Sequence, residues 1–76
     1  MKAVESRRLK TLLFDADLTY AKAAKQIGIS ENNFQQKING NRRWWLEECI
    51  SIARILGYED LRDVFPERYE RFLRKG

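Results

Sequence analysis

The residues best equipped for chemistry in this chain are polar, and they crowd into one short stretch. Glu31, Asn32, Asn33, Gln35, Gln36 and Lys37 fall almost consecutively, and Asn39, Asn41, Arg42 and Arg43 follow at once. Amide and guanidinium groups recognise partners by hydrogen bonding and do not make or break bonds. Two adjacent arginines beside such a run match the electrostatic footprint expected next to a polyanion. The plainer alternative is a solvated basic loop.

Covalent chemistry is poorly served by the rest of the chain. There is no histidine, no plausible triad, no phosphate-cradling glycine loop and no pair of carboxylates in an evident pocket. Glu47 and Glu48 are sequence neighbours, so on a helix they point in different directions and read as a solvated, dipole-stabilising first turn. Cys49 is the one cysteine, which excludes an internal disulfide, and without histidine it cannot build a zinc site. It reads as a small buried hydrophobe. The expectation is a protein that is not an enzyme and needs no cofactor and no metal.

The elements that must position the polar stretch can be read from residues 18–40. Two short helices are expected there, Tyr20–Ile27 and Glu31–Ile38, joined by a tight turn. Gly28 suits the left-handed residue that ends the first helix. Ser30 stands where the second needs an oxygen for its free N–H groups, and Thr19 does the same for the first, with Leu18 as the preceding staple residue. Gly40 closes the second helix after Asn39. Helix, glycine turn, helix is the outline of a helix-turn-helix.

The remaining helices follow from apolar spacing. A first helix over 4–14 carries Leu9, Leu12 and Leu13 on one side. The helix at Tyr20–Ile27 turns Ala23, Ala24 and Ile27 inward and Lys22 and Lys25 outward. Glu31–Ile38 buries only Phe34 and Ile38, a narrow stripe beneath a wide polar face. Over Leu46–Leu56 the residues Leu46, Cys49, Ile50, Ala53 and Leu56 recur at helical spacing, and Ile52 and Ile55 widen the stripe. That pattern predicts the central, most buried helix, stopped by Gly57. A short helix over 59–64 carries Leu61 and Val64. Pro66 interrupts it and biases Phe65 towards an extended backbone, and a last helix restarts over 67–74 with Tyr69, Phe72 and Leu73 on one side. The expectation is an all-α, compact bundle of five or six short helices in a single domain over 1–76, with 66–76 as a C-terminal helical extension.

Composition sets the class of partner. The 76 residues carry 15 Lys/Arg against 11 Asp/Glu, a net charge of +4 and a pI near 9.5. Residues 1–38 hold 7 basic and 4 acidic side chains, and residues 39–76 hold 8 and 7. The excess leans towards the half with the two-helix unit, a mild bias that favours a polyanion. No apolar run reaches bilayer-spanning length and no apolar leader opens the chain. The expected setting is soluble, reducing and cytoplasmic.

Taken in order, these residues resemble the Cro and lambda-repressor type of helix-turn-helix domain, found in phage repressors and small bacterial regulators. The resemblance is carried by Leu18-Thr19, Ala24, Gly28-Ile29-Ser30, Phe34, Asn39-Gly40 and the run from Ile52 to Gly57, and it covers roughly 4–65. It implies sequence-specific binding of a double-stranded DNA operator by a transcriptional regulator, with the helix at Glu31–Ile38 in the major groove. It places Glu31, Asn32, Gln35 and Gln36 at base-facing positions. Asparagine and glutamine pair with adenine, and a carboxylate accepts from the cytosine amino group. Glu31 could equally serve its own helix N-terminus. Tyr20, Lys37, Asn39, Asn41, Arg42 and Arg43 form the implied phosphate-contacting rim, with the arginines alternatively entering the minor groove.

Two departures from the family pattern stand out. Tyr20 replaces a customary glutamine, and a phenolic hydroxyl can also donate to phosphate. The pair Trp44-Trp45 is unusual. Trp44 is expected to cover the core, whereas Trp45 sits at a helix start that tryptophan cannot cap. It could pack on Arg43 or the tail, or face a partner subunit or the DNA backbone. Tyr69, Phe72 and Leu73 could cover the domain's own core or form a dimer seam. Because such regulators commonly read palindromes as dimers, the expectation is a homodimer with Tyr58, Tyr69, Phe72 and Leu73 at its interface. The competing reading is a protein-interaction module on the same fold, such as an antitoxin or anti-repressor with a protein partner.

Overall fold

A computed structural model describes residues 5–67. Within them the chain forms five helices, α1 (Arg7–Asp15), α2 (Tyr20–Ile27), α3 (Glu31–Ile38), α4 (Leu46–Leu56) and α5 (Leu61–Val64). The all-α reading holds, and α2, α3 and α4 span the residues expected of them. The first helix begins later than expected, at Arg7, and α5 begins at Leu61 because Asp60 is its N-cap, accepting from the Arg62 backbone N–H at 2.9 Å. The helix expected over 67–74 lies outside the described residues, apart from Glu67, which is helical together with Pro66. None of the described helices is long and apolar enough to cross a membrane.

The helix starts use three different devices. Thr19 and Ser30 cap α2 and α3 as expected, their hydroxyl oxygens accepting from Lys22 N–H at 3.2 Å and Asn33 N–H at 3.1 Å. Ser6 stands at the start of α1 but does not cap it. Its hydroxyl accepts from the Trp44 indole N–H at 3.0 Å, and its own N–H donates to the Ile38 carbonyl at 2.8 Å. One free N–H in the first turn of α1, that of Arg8, is instead satisfied by the Glu67 carboxylate at 3.1 Å. A residue from beyond α5 therefore caps the first helix. At α4 the reciprocal half of a capping box operates: the Glu48 side chain accepts from Trp45 N–H at 2.9 Å.

The helix ends share one device. After α1, α2, α3 and α4 the chain passes through a single left-handed residue, Asp17, Gly28, Gly40 and Gly57 respectively. The next N–H then bonds back to a carbonyl five residues earlier, as in Leu18 to Leu13 at 2.9 Å and Ile29 to Ala24 at 3.0 Å. This is the Schellman closure, which satisfies carbonyls the helix leaves open. After α1, α2 and α4 the residue that follows is Leu18, Ile29 or Tyr58, each partly buried against the core. After α3 it is Asn41, which is exposed. The same turn that folds the chain back onto the core elsewhere here releases it into solvent, carrying Arg42 and Arg43 with it.

All five helices contribute to one core. Leu9, Leu12 and Leu13 from α1 meet Ala23 and Ala24 from α2, Phe34 and Ile38 from α3, and Cys49, Ile52 and Ala53 from α4, with Val64 and Phe65 closing the far side. Phe34 is its aromatic centre. Tyr20 tilts against it at 5.5 Å between ring centroids, and Trp44 meets it edge-on at 5.3 Å. Trp44 then bridges to Phe65 at 5.6 Å. The reading of α4 as buried nearly all round needs correction. Its inward stripe is Cys49, Ile52 and Ala53, Ile50, Ile55 and Leu56 are half-buried, and Leu46 is 53% exposed. Leu46 sits in the first turn, beyond the edge of the core, although its spacing fits the stripe.

Candidate nucleic-acid interface

The structure divides α3 sharply. Phe34 and Ile38 are completely buried, and Lys37 lies beside them on the inner face. On the opposite side Glu31, Asn32 and Gln35 are exposed, and Gln36 is half-buried at its margin. Three of the four residues expected to face bases thus stand in solvent, on a helix whose back is anchored by an aromatic core. An α-helix with its side chains is about 10–12 Å across, which matches the width of the DNA major groove. Glu31 is also the acidic residue of the first turn, so it serves the helix dipole where it stands.

The residues expected at a phosphate rim fare unequally. Asn39, Asn41, Arg42 and Arg43 are exposed. The loop bearing them leaves α3 through two hydrogen bonds to the Gln36 carbonyl, from Asn41 N–H at 2.8 Å and Arg42 N–H at 3.1 Å. Tyr20 is half-buried, its ring held against Phe34. Lys37 is a correction. It is only 4% exposed, and its ammonium donates to both Glu48 oxygens, at 2.5 and 2.6 Å. A cation so enclosed and neutralised is not presented to phosphate. The spacing made Lys37 look like the polar flank of α3, but α4 crosses that flank and supplies a carboxylate.

Two further residues differ from a plain reading. Glu48 is no solvated glutamate: it pairs with Lys37 and closes the start of α4. Its signal was legible as an acid three positions beyond an expected helix start, the capping-box spacing. Glu47, its neighbour, is exposed as expected. Asn33, which reads from the sequence as an ordinary surface residue, is half-buried, and its Oδ1 has no hydrogen-bond partner among the described residues. It lines a cleft of about 590 Å³ with Lys37, Arg42, Arg43, Trp44, Trp45 and Leu46.

The two tryptophans separate cleanly. Trp44 covers the core and Trp45 is 72% exposed beside the arginine loop. Tyr58 is half-buried against its own core, and its N–H closes α4 on the Ala53 carbonyl at 2.8 Å. Tyr69, Phe72 and Leu73 lie outside the described residues.

No protein-family model matches the chain, and neither a curated protein nor a solved structure is similar enough to count as a match.

Proposed function

We propose that the protein is a sequence-specific, double-stranded DNA-binding transcriptional regulator of the Cro and lambda-repressor type, a repressor suited to a phage or mobile element. The observation that carries this reading is the two-sided α3, buried through Phe34 and Ile38 and open along Glu31, Asn32 and Gln35, with Arg42 and Arg43 emerging at its end. In this reading α3 enters the major groove as a rigid unit. Asn32 and Gln35 offer paired donor and acceptor atoms to adenine edges, and Glu31 accepts from cytosine. Asn39, Asn41, Arg42 and Arg43 hold the phosphate backbone and set the register.

Recognition is mainly a matter of pre-organisation. A helix already capped at Ser30 and packed through Phe34 loses little freedom on binding. A single copy offers few base contacts, so two copies on a palindromic operator would supply the missing affinity. Selection from random duplex DNA should yield one enriched motif, bound with an affinity that falls steeply with salt and survives non-specific competitor. Recovery of no motif, with equal binding to all duplexes, would sink the reading.

A protein-interaction module is the second reading. It draws on Phe14, which is 85% exposed at the end of α1, and on the exposed Trp45 and Leu46. Tight binding to a protein by a chain without measurable duplex affinity would favour it.

A further inference from the structure

The Lys37–Glu48 pair links the two ends of the loop at 39–45. Lys37 lies in the last turn of α3 and Glu48 in the first turn of α4. Both carboxylate oxygens are engaged by the ammonium, and Oε1 also accepts from Trp45 N–H. The two side chains are 5% and 13% exposed. The Lys37 ammonium also stands 5.9 Å from the centre of the Trp44 ring, which is itself wedged between Phe34 and Phe65. At the other end the Gln36 carbonyl holds Asn41 and Arg42.

A buried ion pair is an inefficient source of stability, because desolvation of both charges offsets most of their attraction. An apolar pair would hold α3 to α4 at least as well. It would not hold them in one register, since apolar contact is non-directional, while the hydrogen bonds of Glu48 to the Lys37 ammonium and to Trp45 N–H have preferred distances and angles.

We propose that Lys37 and Glu48 are positioning residues, whose ion pair straps the loop so that Arg42 and Arg43 stand at a fixed offset from the exposed edge of α3. The inference rests on the DNA-binding reading for its functional half. Lys37 then contributes to phosphate contact without touching phosphate, by fixing the two arginines that do.

Glu48→Gln alone strands a buried cation and risks the fold, so the informative variant is Lys37→Met with Glu48→Gln. It removes both charges and keeps the lysine stem and the acceptor for Trp45 N–H. Its melting temperature should equal or exceed the parent's. Hydrogen exchange at Asn41 and Arg42 should quicken about tenfold or more, while the amides of α1 and α2 keep their protection. The slope of log affinity against log salt should become shallower by about 1.8, the loss of two phosphate contacts. Arg42→Ala with Arg43→Ala provides the reference slope. Unchanged exchange in the loop overturns the proposal without any DNA present. Quickened exchange with an unchanged slope also overturns it, because the pair is then merely structural. If the parent shows no salt-dependent duplex binding, the DNA reading and the proposal fall together. A parent that binds and a variant that matches it in slope remove the proposal alone.

Discussion

At the scale of single residues, exposure separates recognition from stability. Asn32 and Gln35 are exposed and stand away from the core. Each, changed to alanine, should cost about 1–3 kcal/mol of discrimination at one operator position and leave stability within about 0.5 kcal/mol. Binding to single-base operator variants and a thermal melt check both halves, and a uniform loss across all sequences would remove these residues from base contact. Phe34 is the opposite case, fully buried at the meeting point of Tyr20 and Trp44. Phe34→Ala should cost about 3–5 kcal/mol, measured by urea unfolding. A chain of 76 residues has about 4–11 kcal/mol in all, so this one cavity takes a large share. Lys37 shows why residue type alone misleads. A lysine on a polar helix flank is ordinarily a surface cation, and only the approach of Glu48 makes it a buried one.

At the scale of elements, the helix ends add local stabilisation to that of the core. Gly28 has φ +82°, and a β-carbon added there would meet nothing within 4 Å, so Gly28→Ala brings conformational strain and no clash. The expected cost is about 1–2 kcal/mol, and Gly28→Asn should cost less, because asparagine tolerates the left-handed region better. Equal melting temperatures for all three chains would refute that account. Asp60 adds a pH dependence at α5. The Arg62 side chain, and then the Arg62 backbone N–H, hold its carboxyl below the ordinary range near 3.8. A carboxyl lowered in the folded state contributes stability that is complete at neutral pH, above the unfolded value, and is lost as pH falls through the folded value. Asp60→Asn keeps a cap and removes the charge. Its stability deficit should therefore shrink as pH drops below about 3.8. A deficit constant from neutral pH into acid would show that the charge contributes nothing.

At the scale of the whole molecule, residues far apart in sequence meet. Glu67 caps α1 through Arg8 N–H, the Arg8 guanidinium donates to the Asp63 carbonyl at 3.3 Å, and Phe65 seals the core against Trp44. Residues 61–67 are therefore part of the domain's closure and more than an appendage. Glu67→Gln should weaken α1 by about 1 kcal/mol, read as faster exchange in its first turn. Unchanged exchange there would mean that Glu67 is an incidental contact. The proposed dimer belongs to this scale too. Sedimentation with and without operator should show two chains per palindrome, whereas one chain per operator at saturating concentration would exclude pairing.

Apolar spacing, glycine positions and capping residues determined most of the architecture without reference to distant contacts. Each is a local property, so α2, α3, α4 and the buried Phe34 and Ile38 were legible in the sequence. The polar edge of α3 was legible for the same reason. What the sequence could not determine was which polar residues remain polar in effect. Lys37 and Glu48 lie 11 positions apart, and Arg8 and Glu67 lie 59 apart. Whether such groups face water or one another depends on how helices cross, and no local pattern encodes that. The tertiary structure decided that Lys37 is withdrawn, that Leu46 and Trp45 are exposed, and that the loop after α3 alone turns outward. Its physical reason is packing: once Phe34, Trp44 and Phe65 interlock, the remaining side chains take whichever surroundings the helix crossings leave them.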